Sequence, residues 1–192
     1  MKKTAIYLWS IMILGTISCK SLYGIKQQEK FDEDKINTFY NRLNTSIFQK
    51  ATADSNYITA ISILLKHDSA YQYYHLQPLQ VLYYNEIGDM ISYHVNCNAG
   101  GFPKLNWNRN GLFEAFPPKT QTKPNHIVTQ NFLENNLALP SKKGADYTVF
   151  VFWNLLLEKQ SRLLLGQVEK NLKLTDKKVN VVLVNNDKWY LK

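Results

Sequence analysis

The amino-acid sequence predicts an α+β fold: two N-terminal helices, then an antiparallel hairpin region rich in aromatic residues, then a closing strand–helix–strand unit. The spacing of apolar residues is the main evidence. Over the first third of the chain they recur every three to four positions, which is typical of amphipathic helices. From Tyr71 the period falls to two, which indicates strands. Two apolar runs flank an amphipathic stretch, which favours buried parallel strands joined by a helix; they are 145–153, which is apolar on both faces toward its end, and 179–184.

The first residues have the pattern of a secretory signal peptide. Lys2 and Lys3 precede an apolar run from Ala5 to Leu14, and small residues follow. The run is shorter than the roughly 20 apolar residues that a membrane-spanning helix needs. The segment Thr16-Ile17-Ser18-Cys19 resembles a bacterial lipobox, in which a signal peptidase cuts before a cysteine that carries acyl chains. A plain secreted protein and a helix anchor are the alternatives.

The lipobox resemblance implies a location. Residues 1–18 would be the signal peptide and residues 19–30 a lipidated tether. Acyl chains on Cys19 would hold the protein to membrane lipid. The body would then lie outside the cytoplasm in a bacterial cell envelope, and the sequence leaves open whether the membrane is the inner or the outer one.

Charge and cysteine content narrow the classes of function. The chain has 23 basic and 15 acidic residues, for a net charge of +8. The lysines are scattered, which predicts a solvated surface near anionic lipid rather than a nucleic-acid partner. Once Cys19 is acylated, Cys97 is the only thiol left, so we expect no internal disulfide and a buried, small Cys97. The histidines lack zinc-site spacing and no cofactor motif is present, so we expect neither metal nor cofactor.

Two helices are expected first. Acidic residues at the start of Phe31–Lys50 suit the positive end of a helix dipole. Asp54 or Ser55 can cap the second helix. The predicted inward residues are Ile36, Phe39, Leu43 and Ile47 in the first helix and Ile58, Ile61, Leu64 and Leu65 in the second.

Short strands follow, joined by a hairpin turn at Asn85–Asp89 that contains Gly88. The predicted strands are Tyr71–Leu76, Leu79–Tyr84, Met90–Asn96 and Leu112–Phe116. The third of them alternates between apolar and polar residues. We therefore expect the face with Ser92, His94 and Asn96 to meet water or a partner.

A linker at Lys119–Asn125 separates the region 31–124 from the region 125–192, and the sequence leaves open whether these form one domain. The second region reads as helix, strand, helix and strand. Their predicted bounds are Ile127–Leu137, Ala145–Trp153, Glu158–Lys173 and Val179–Val184.

The second region resembles the thioredoxin-like superfamily. The stretch Thr148–Trp153 (TVFVFW) is similar to the strand before the family's redox motif, and 179–187 (VNVVLVNND) is similar to the next strand. The family then carries C-x-x-C at a helix N-terminus, where the helix dipole activates the thiolate. Here residues 154–161 contain no cysteine, so the resemblance implies a fold without oxidoreductase activity. The alternative is a generic βαβ unit completed by strands from the N-terminal half. A partial thioredoxin-like module could also use the hairpin of Leu79–Asn96 to extend its sheet. The whole chain also resembles small lipoproteins of Bacteroidetes.

The candidate site residues are aromatic and histidine side chains. Tyrosine offers a large contact area at low entropic cost, which favours a binding surface, although alternation would place about half of these rings in the core. His94 lies beside Ser92 and Asn96, so it is also the best candidate for catalysis. The predicted binding surface consists of Tyr73, Tyr83, His94, Phe102 and Trp107.

The sequence therefore supports three hypotheses about function. The favoured one is non-catalytic binding or scaffolding by a lipid-anchored protein that contacts a protein partner in the envelope. The alternative is a degenerate thioredoxin-like protein that uses Cys97 for thiol exchange or a chaperone-like role. The third is an enzyme centred on His94.

Overall fold

A computed structural model describes residues 30–43, 48–66, 74–95, 106–124, 126–140 and 144–190. In this part of the chain five α-helices and five strands form a mixed α+β structure, as the sequence predicted. The elements in chain order are α1 Glu33–Arg42, β1 Gln49–Thr52, α2 Ser55–Leu64, β2 Gln80–Asn85, β3 Met90–Val95, a 3-10 turn Arg109–Gly111, α3 Gln130–Asn136, β4 Tyr147–Trp153, α4 Glu158–Leu172, β5 Val179–Asn185 and α5 Asp187–Tyr190.

The strands form one mixed sheet in the order β1-β5-β4-β2-β3. β1, β5 and β4 are parallel, so the predicted parallel pair around α4 is confirmed. β2 runs antiparallel to both β4 and β3. The hairpin of β2 and β3 therefore extends the sheet along β4. This arrangement fits both a partial thioredoxin-like module and a generic βαβ unit completed by N-terminal strands. Since β2 lies in the region 31–124 and β4 in the region 125–192, a single sheet joins the two.

Both faces of the sheet are covered. One face packs against α1, α4 and the segment 106–118, and the other packs against α2, α3 and α5. Trp153, at the end of β4, is 0% exposed and stacks on Phe39 of α1 with ring centroids 4.2 Å apart. On the opposite face Tyr57 of α2 lies 5.9 Å from the ring of Phe152. The central strand is thus buried on both sides, which explains its continuous apolar sequence.

Local signals explain where the helices begin. Asp54 caps α2, because its carboxylate accepts hydrogen bonds from the backbone N–H of Asn56 and Tyr57. Asp32 caps α1 in the same way through Lys35 N–H, at 3.0 Å. The predicted start of α2 at Asp54 or Ser55 is therefore confirmed.

The predicted helix Phe31–Lys50 was too long. α1 ends at Arg42, Leu43 is extended, and Gln49–Thr52 forms β1 against β5. An edge strand of four residues is too short to establish a period of its own, and main-chain bonding to a buried parallel neighbour decides its conformation.

Two predicted strands are also corrected. Leu112–Phe116 is a series of turns and bends, because side-chain amides occupy its backbone groups. Asn171 donates to the carbonyls of Phe113 and Ala115, at 3.0 and 2.7 Å, and Asn108 Oδ1 accepts from Phe113 N–H. The described end of Tyr71–Leu76, residues 74–76, is a helical turn rather than a strand.

The expectation of a wet face on β3 was wrong for its described residues. Ser92 and His94 are both 0% exposed. The segment 106–118 folds over them and places the Phe113 ring 4.4 Å from the imidazole of His94. Asn96 lies outside the described residues.

Candidate functional site

A group of hydrogen-bonded polar side chains closes the sheet where the parallel strands end. We call it the asparagine cluster, and each of its members is 0% exposed. This end of a parallel sheet is where open α/β folds commonly place their ligand sites. Its members are Asn154, Ser161, Asn185, Asn186 and Asp187.

Asn154 connects four parts of the chain. Its Oδ1 accepts from the Leu157 N–H at 2.8 Å, which supplies the start of α4 with the cap that its own N-cap residue lacks. Its Nδ2 donates to the carbonyl of Pro78, just before β2, and to Oδ1 of Asn186. Its carbonyl accepts from Ser161 Oγ at 2.7 Å. The side chain therefore holds the loops after β4 and β5 against the start of β2.

Asp187 is the ionisable member of the asparagine cluster. Its two oxygens accept from Leu155 N–H at 2.9 Å and from Asn185 Nδ2 at 2.7 Å. Burial raises the pKa of the Asp187 carboxyl above its ordinary value, while the hydrogen bonds from Asn185 and the backbone of Leu155 oppose that rise. The carboxyl is thus committed to internal partners and is held away from water.

These contacts give the asparagine cluster a structural role, because they join the loops after β4 and β5 to α4 and to the start of β2. The thioredoxin-like resemblance would place a redox motif within residues 154–161, and the structure places Asn154 and Ser161 there, both bonded inward. Both cysteines of the chain lie outside the described residues. In the described part, this end of the sheet therefore offers no thiol chemistry.

His94, the candidate for catalysis, is paired with a hydroxyl. Ser92 Oγ lies 3.1 Å from its Nε2, a distance at which a histidine could activate a serine. Both side chains are 0% exposed, however, so a substrate has no route to them in this conformation. The pair satisfies two polar groups that the segment 106–118 removes from water.

His75 belongs to a second internal network. Its Nδ1 lies 3.2 Å from the hydroxyl of Tyr93, which donates to Oε1 of Gln80 at 3.0 Å. Gln80 in turn donates to the carbonyl of His75. Burial lowers the pKa of His75 to about 3, so the ring is neutral near pH 7. This network ties the turn at 74–76 to the hairpin.

The predicted aromatic binding surface is corrected for its described members. Tyr83, His94 and Trp107 are at most 2% exposed and pack in the core, so they present no surface to a partner. Tyr83 also donates to Oδ1 of Asn171 at 3.2 Å. Alternation in the sequence could not identify these rings as core, because it did not reveal that helices and the segment 106–118 cover this face. The remaining predicted residues, Cys19, Tyr73 and Phe102, and also Cys97, lie outside the described residues.

The opposite end of the sheet is open, and we call it the turn end. It comprises the hairpin turn 85–89 and the segments 144–147 and 174–178. Ile87 in the turn is 76% exposed and Leu174 is 54% exposed. The turn is rigid, because Asn85 Oδ1 accepts from the N–H groups of both Ile87 and Asp89. Gly88, at φ +86°, provides the left-handed residue that a short hairpin loop of this kind needs.

A cleft of about 300 Å³ lies at the turn end. Side chains from three separate segments form its walls. Because these segments are far apart in sequence, no motif marked them. One signal could have been noticed, namely a β-branched apolar residue at the tip of a turn where polar residues are usual. The cleft is lined by Asn85, Glu86, Ile87, Asp146, Tyr147 and Lys177.

Within the described ranges no three His, Cys, Asp or Glu side chains come together in a way that could hold a metal ion. The helices of the same ranges are all too short or too polar to cross a membrane. Comparison with known proteins found no match: no family model, no curated protein and no solved structure is significantly similar to this chain.

Proposed function

We propose that this protein is a lipid-anchored, non-catalytic binding protein of the bacterial cell envelope, and that it contacts a protein partner through the turn end. The observation that carries the proposal is Ile87, an apolar side chain 76% exposed on a rigid turn. Leu174 adds a second exposed apolar side chain three residues before Lys177 of the cleft. Protein interfaces typically have apolar anchor residues at the centre and polar or charged residues at the rim.

The burial of His75, His94 and Ser92 supports binding rather than catalysis. His75 and His94 are at most 2% exposed and bonded to internal partners. The asparagine cluster is likewise bonded inward. The exposed groups of the turn end are therefore the better candidates for contact with another molecule.

Matched isoleucine variants test the contact. Ile87→Asp should weaken partner capture about 10- to 100-fold, since burial of an isoleucine contributes about 1.5–3 kcal/mol. Ile63→Asp is the control, because Ile63 is 67% exposed but lies on α2. The anchored protein would be cross-linked in cells, and the partner recovered with the wild type would be quantified in both variants. Equal recovery with Ile87→Asp and wild type would refute the proposed contact.

The anchor itself rests on the resemblance of Thr16-Ile17-Ser18-Cys19 to a lipobox. We expect the chain to incorporate a clickable palmitate analogue, and Cys19→Ala to abolish that incorporation. Cys97→Ser is the control, since it removes the other cysteine and should leave labelling intact. Labelling that persists in Cys19→Ala would contradict the anchor.

We further propose that the sheet is a rearranged thioredoxin-like sheet. The support is the parallel unit β4-α4-β5 together with an antiparallel hairpin alongside β4. In the family that hairpin follows the unit in the chain, whereas here β2 and β3 precede it. The proposal concerns the fold alone.

A second candidate function is thiol exchange through Cys97, and one observation favours it. Cys97 comes two residues after Val95, the last residue of β3. Val95 pairs with Gln80, which also pairs with Phe152 near the end of β4. The chain thus leaves β3 at the end of the sheet where the family carries its redox motif. Mixed-disulfide trapping with the wild type and Cys97→Ser would decide. A function that survives Cys97→Ser unchanged would exclude this candidate.

A further inference from the structure

The cleft at the turn end is bordered by polar groups that have no hydrogen-bond partner among the described residues. Asp146 uses Oδ2 to accept from the Lys178 N–H at 2.8 Å, which leaves Oδ1 open. Asn85 uses Oδ1 for the turn, which leaves its Nδ2 open. The carboxylate of Glu86, the hydroxyl of Tyr147 and the ammonium of Lys177 also lack hydrogen-bond partners among the described residues. Five polar groups therefore border one cavity without being used by the fold.

The combination of hydrogen-bond donors and acceptors in the cleft limits which ligands can bind there. Two are carboxylate acceptors, two are nitrogen donors, and the phenol can do either. A simple cation would meet the ammonium of Lys177, and a simple anion would meet Glu86 and Asp146. A ligand with several hydroxyls, each of which donates and accepts, can bond to all five. Sugars have this chemistry.

Size and the aromatic wall agree with a sugar. The cleft has a volume of about 300 Å³ and is half open to solvent, which leaves room for one sugar unit held at the surface. The Tyr147 ring is braced edge-to-face by Phe116, with centroids 5.1 Å apart. Such a ring offers an apolar body beside a polar tip, which matches the C–H face and the hydroxyls of a pyranose.

We propose that the turn end contains a carbohydrate subsite, in which Asn85, Glu86, Asp146, Tyr147 and Lys177 bind the hydroxyls of one sugar residue. This proposal does not rest on the protein contact through Ile87. For a ligand of about 13 heavy atoms, a Kd near 1 mM is expected.

The test is a titration of the full chain in detergent micelles with methyl glycosides of glucose, galactose, mannose and N-acetylglucosamine, followed by saturation-transfer NMR. At least one glycoside should bind to the wild type. Glu86→Gln, Lys177→Gln and Tyr147→Phe should each weaken it about 3- to 10-fold, as the loss of one hydrogen bond would. Glu114→Gln, an exposed glutamate outside the cleft, should leave the Kd unchanged. Thermal melting verifies that each variant is folded.

The signs of the effects test the hydrogen-bonding model. Because the four glycosides are uncharged, Glu86→Gln and Lys177→Gln should both weaken binding, and strengthened binding in either variant would overturn the proposal. Absence of saturation transfer from all four glycosides at about 20 mM, far above the expected Kd, also overturns it. The protein contact is read separately, since Ile87→Asp lowers partner capture whether or not a sugar binds.

Discussion

Asp187 connects the stability of the fold to pH through the asparagine cluster. Removal of its carboxylate in Asp187→Ala leaves the Leu155 N–H and the Asn185 amide without acceptors, and both residues are at most 6% exposed. Each unsatisfied buried donor costs about 1–3 kcal/mol. Relief of the desolvated carboxylate offsets part of that cost, so we expect a net loss of about 2–3 kcal/mol at pH 7. With a typical urea slope, the unfolding midpoint would fall by roughly 1 M.

Asp187→Asn separates the charge from the hydrogen bonds. The asparagine can still accept from the Leu155 N–H, but its amide nitrogen faces Asn185 Nδ2, so we expect a loss of about 1 kcal/mol at pH 7. Because the folded-state pKa of Asp187 is raised from its ordinary value of 3.8, the native protein binds more protons than the unfolded chain above pH 3.8. The unfolding free energy of the wild type therefore falls as the pH rises from 3.8 through the folded pKa.

The difference in unfolding free energy between the wild type and Asp187→Asn should consequently widen as the pH is lowered, since only the wild type gains this proton. All other carboxyls titrate alike in the two proteins, so the difference isolates Asp187. Urea titrations followed by tryptophan fluorescence at pH 7 and near pH 4.5 measure it. A loss below about 1 kcal/mol in Asp187→Ala, or a gap that narrows on acidification, would refute the reasoning.

The other buried groups give three further predictions. Asn171→Ala breaks two donated hydrogen bonds and one accepted one, so we expect a loss of about 2–4 kcal/mol in urea titration, whereas Tyr83→Phe removes only the accepted bond and should cost about 1 kcal/mol. Burial lowers the pKa of His75 to about 3, so the unfolding free energy should rise with pH between about 3 and 6.5. The NMR signals of the His75 ring should not titrate near pH 6, and a titration midpoint near that pH would contradict its burial. The double variant Leu156→Cys and Lys159→Cys places C-x-x-C at the start of α4, where the helix dipole should lower the pKa of the first thiol below about 8.5. The rate of alkylation as a function of pH measures this pKa, and an ordinary value would count against the thioredoxin-like arrangement.

Sequence reasoning succeeded where the signal was long or strictly local. β4 and β5 are continuous apolar strands, and α4 has a stripe that extends over four turns, so their existence and parallel pairing followed from the pattern. The cap at Asp54 was equally direct, because one side chain satisfies the first N–H groups of α2. In these cases the information lies within the element itself.

The failures share one physical cause, which is that contact with distant segments decides the outcome. β1 is a strand because β5 lies beside it, although its four residues lack a strand pattern. Ser92 and His94 alternate like solvent-facing residues, but the segment 106–118, held by Asn171, covers them. The walls of the cleft likewise come from three segments that lie about 30 to 90 positions apart along the chain.

The open surface and the proposed anchor lie at opposite ends of the sheet. Lys188 Nζ of α5 lies 4.6 Å from the Phe31 ring centre, so the described chain begins at the end closed by the asparagine cluster. Ile87 lies at the other end of β4, whose seven residues span about 23 Å. If Cys19 is acylated, the tether enters at the closed end. On the proposed function, the attachment point and the proposed contact would therefore lie at opposite ends of the sheet, and Ile87 and the cleft would face away from the attachment point.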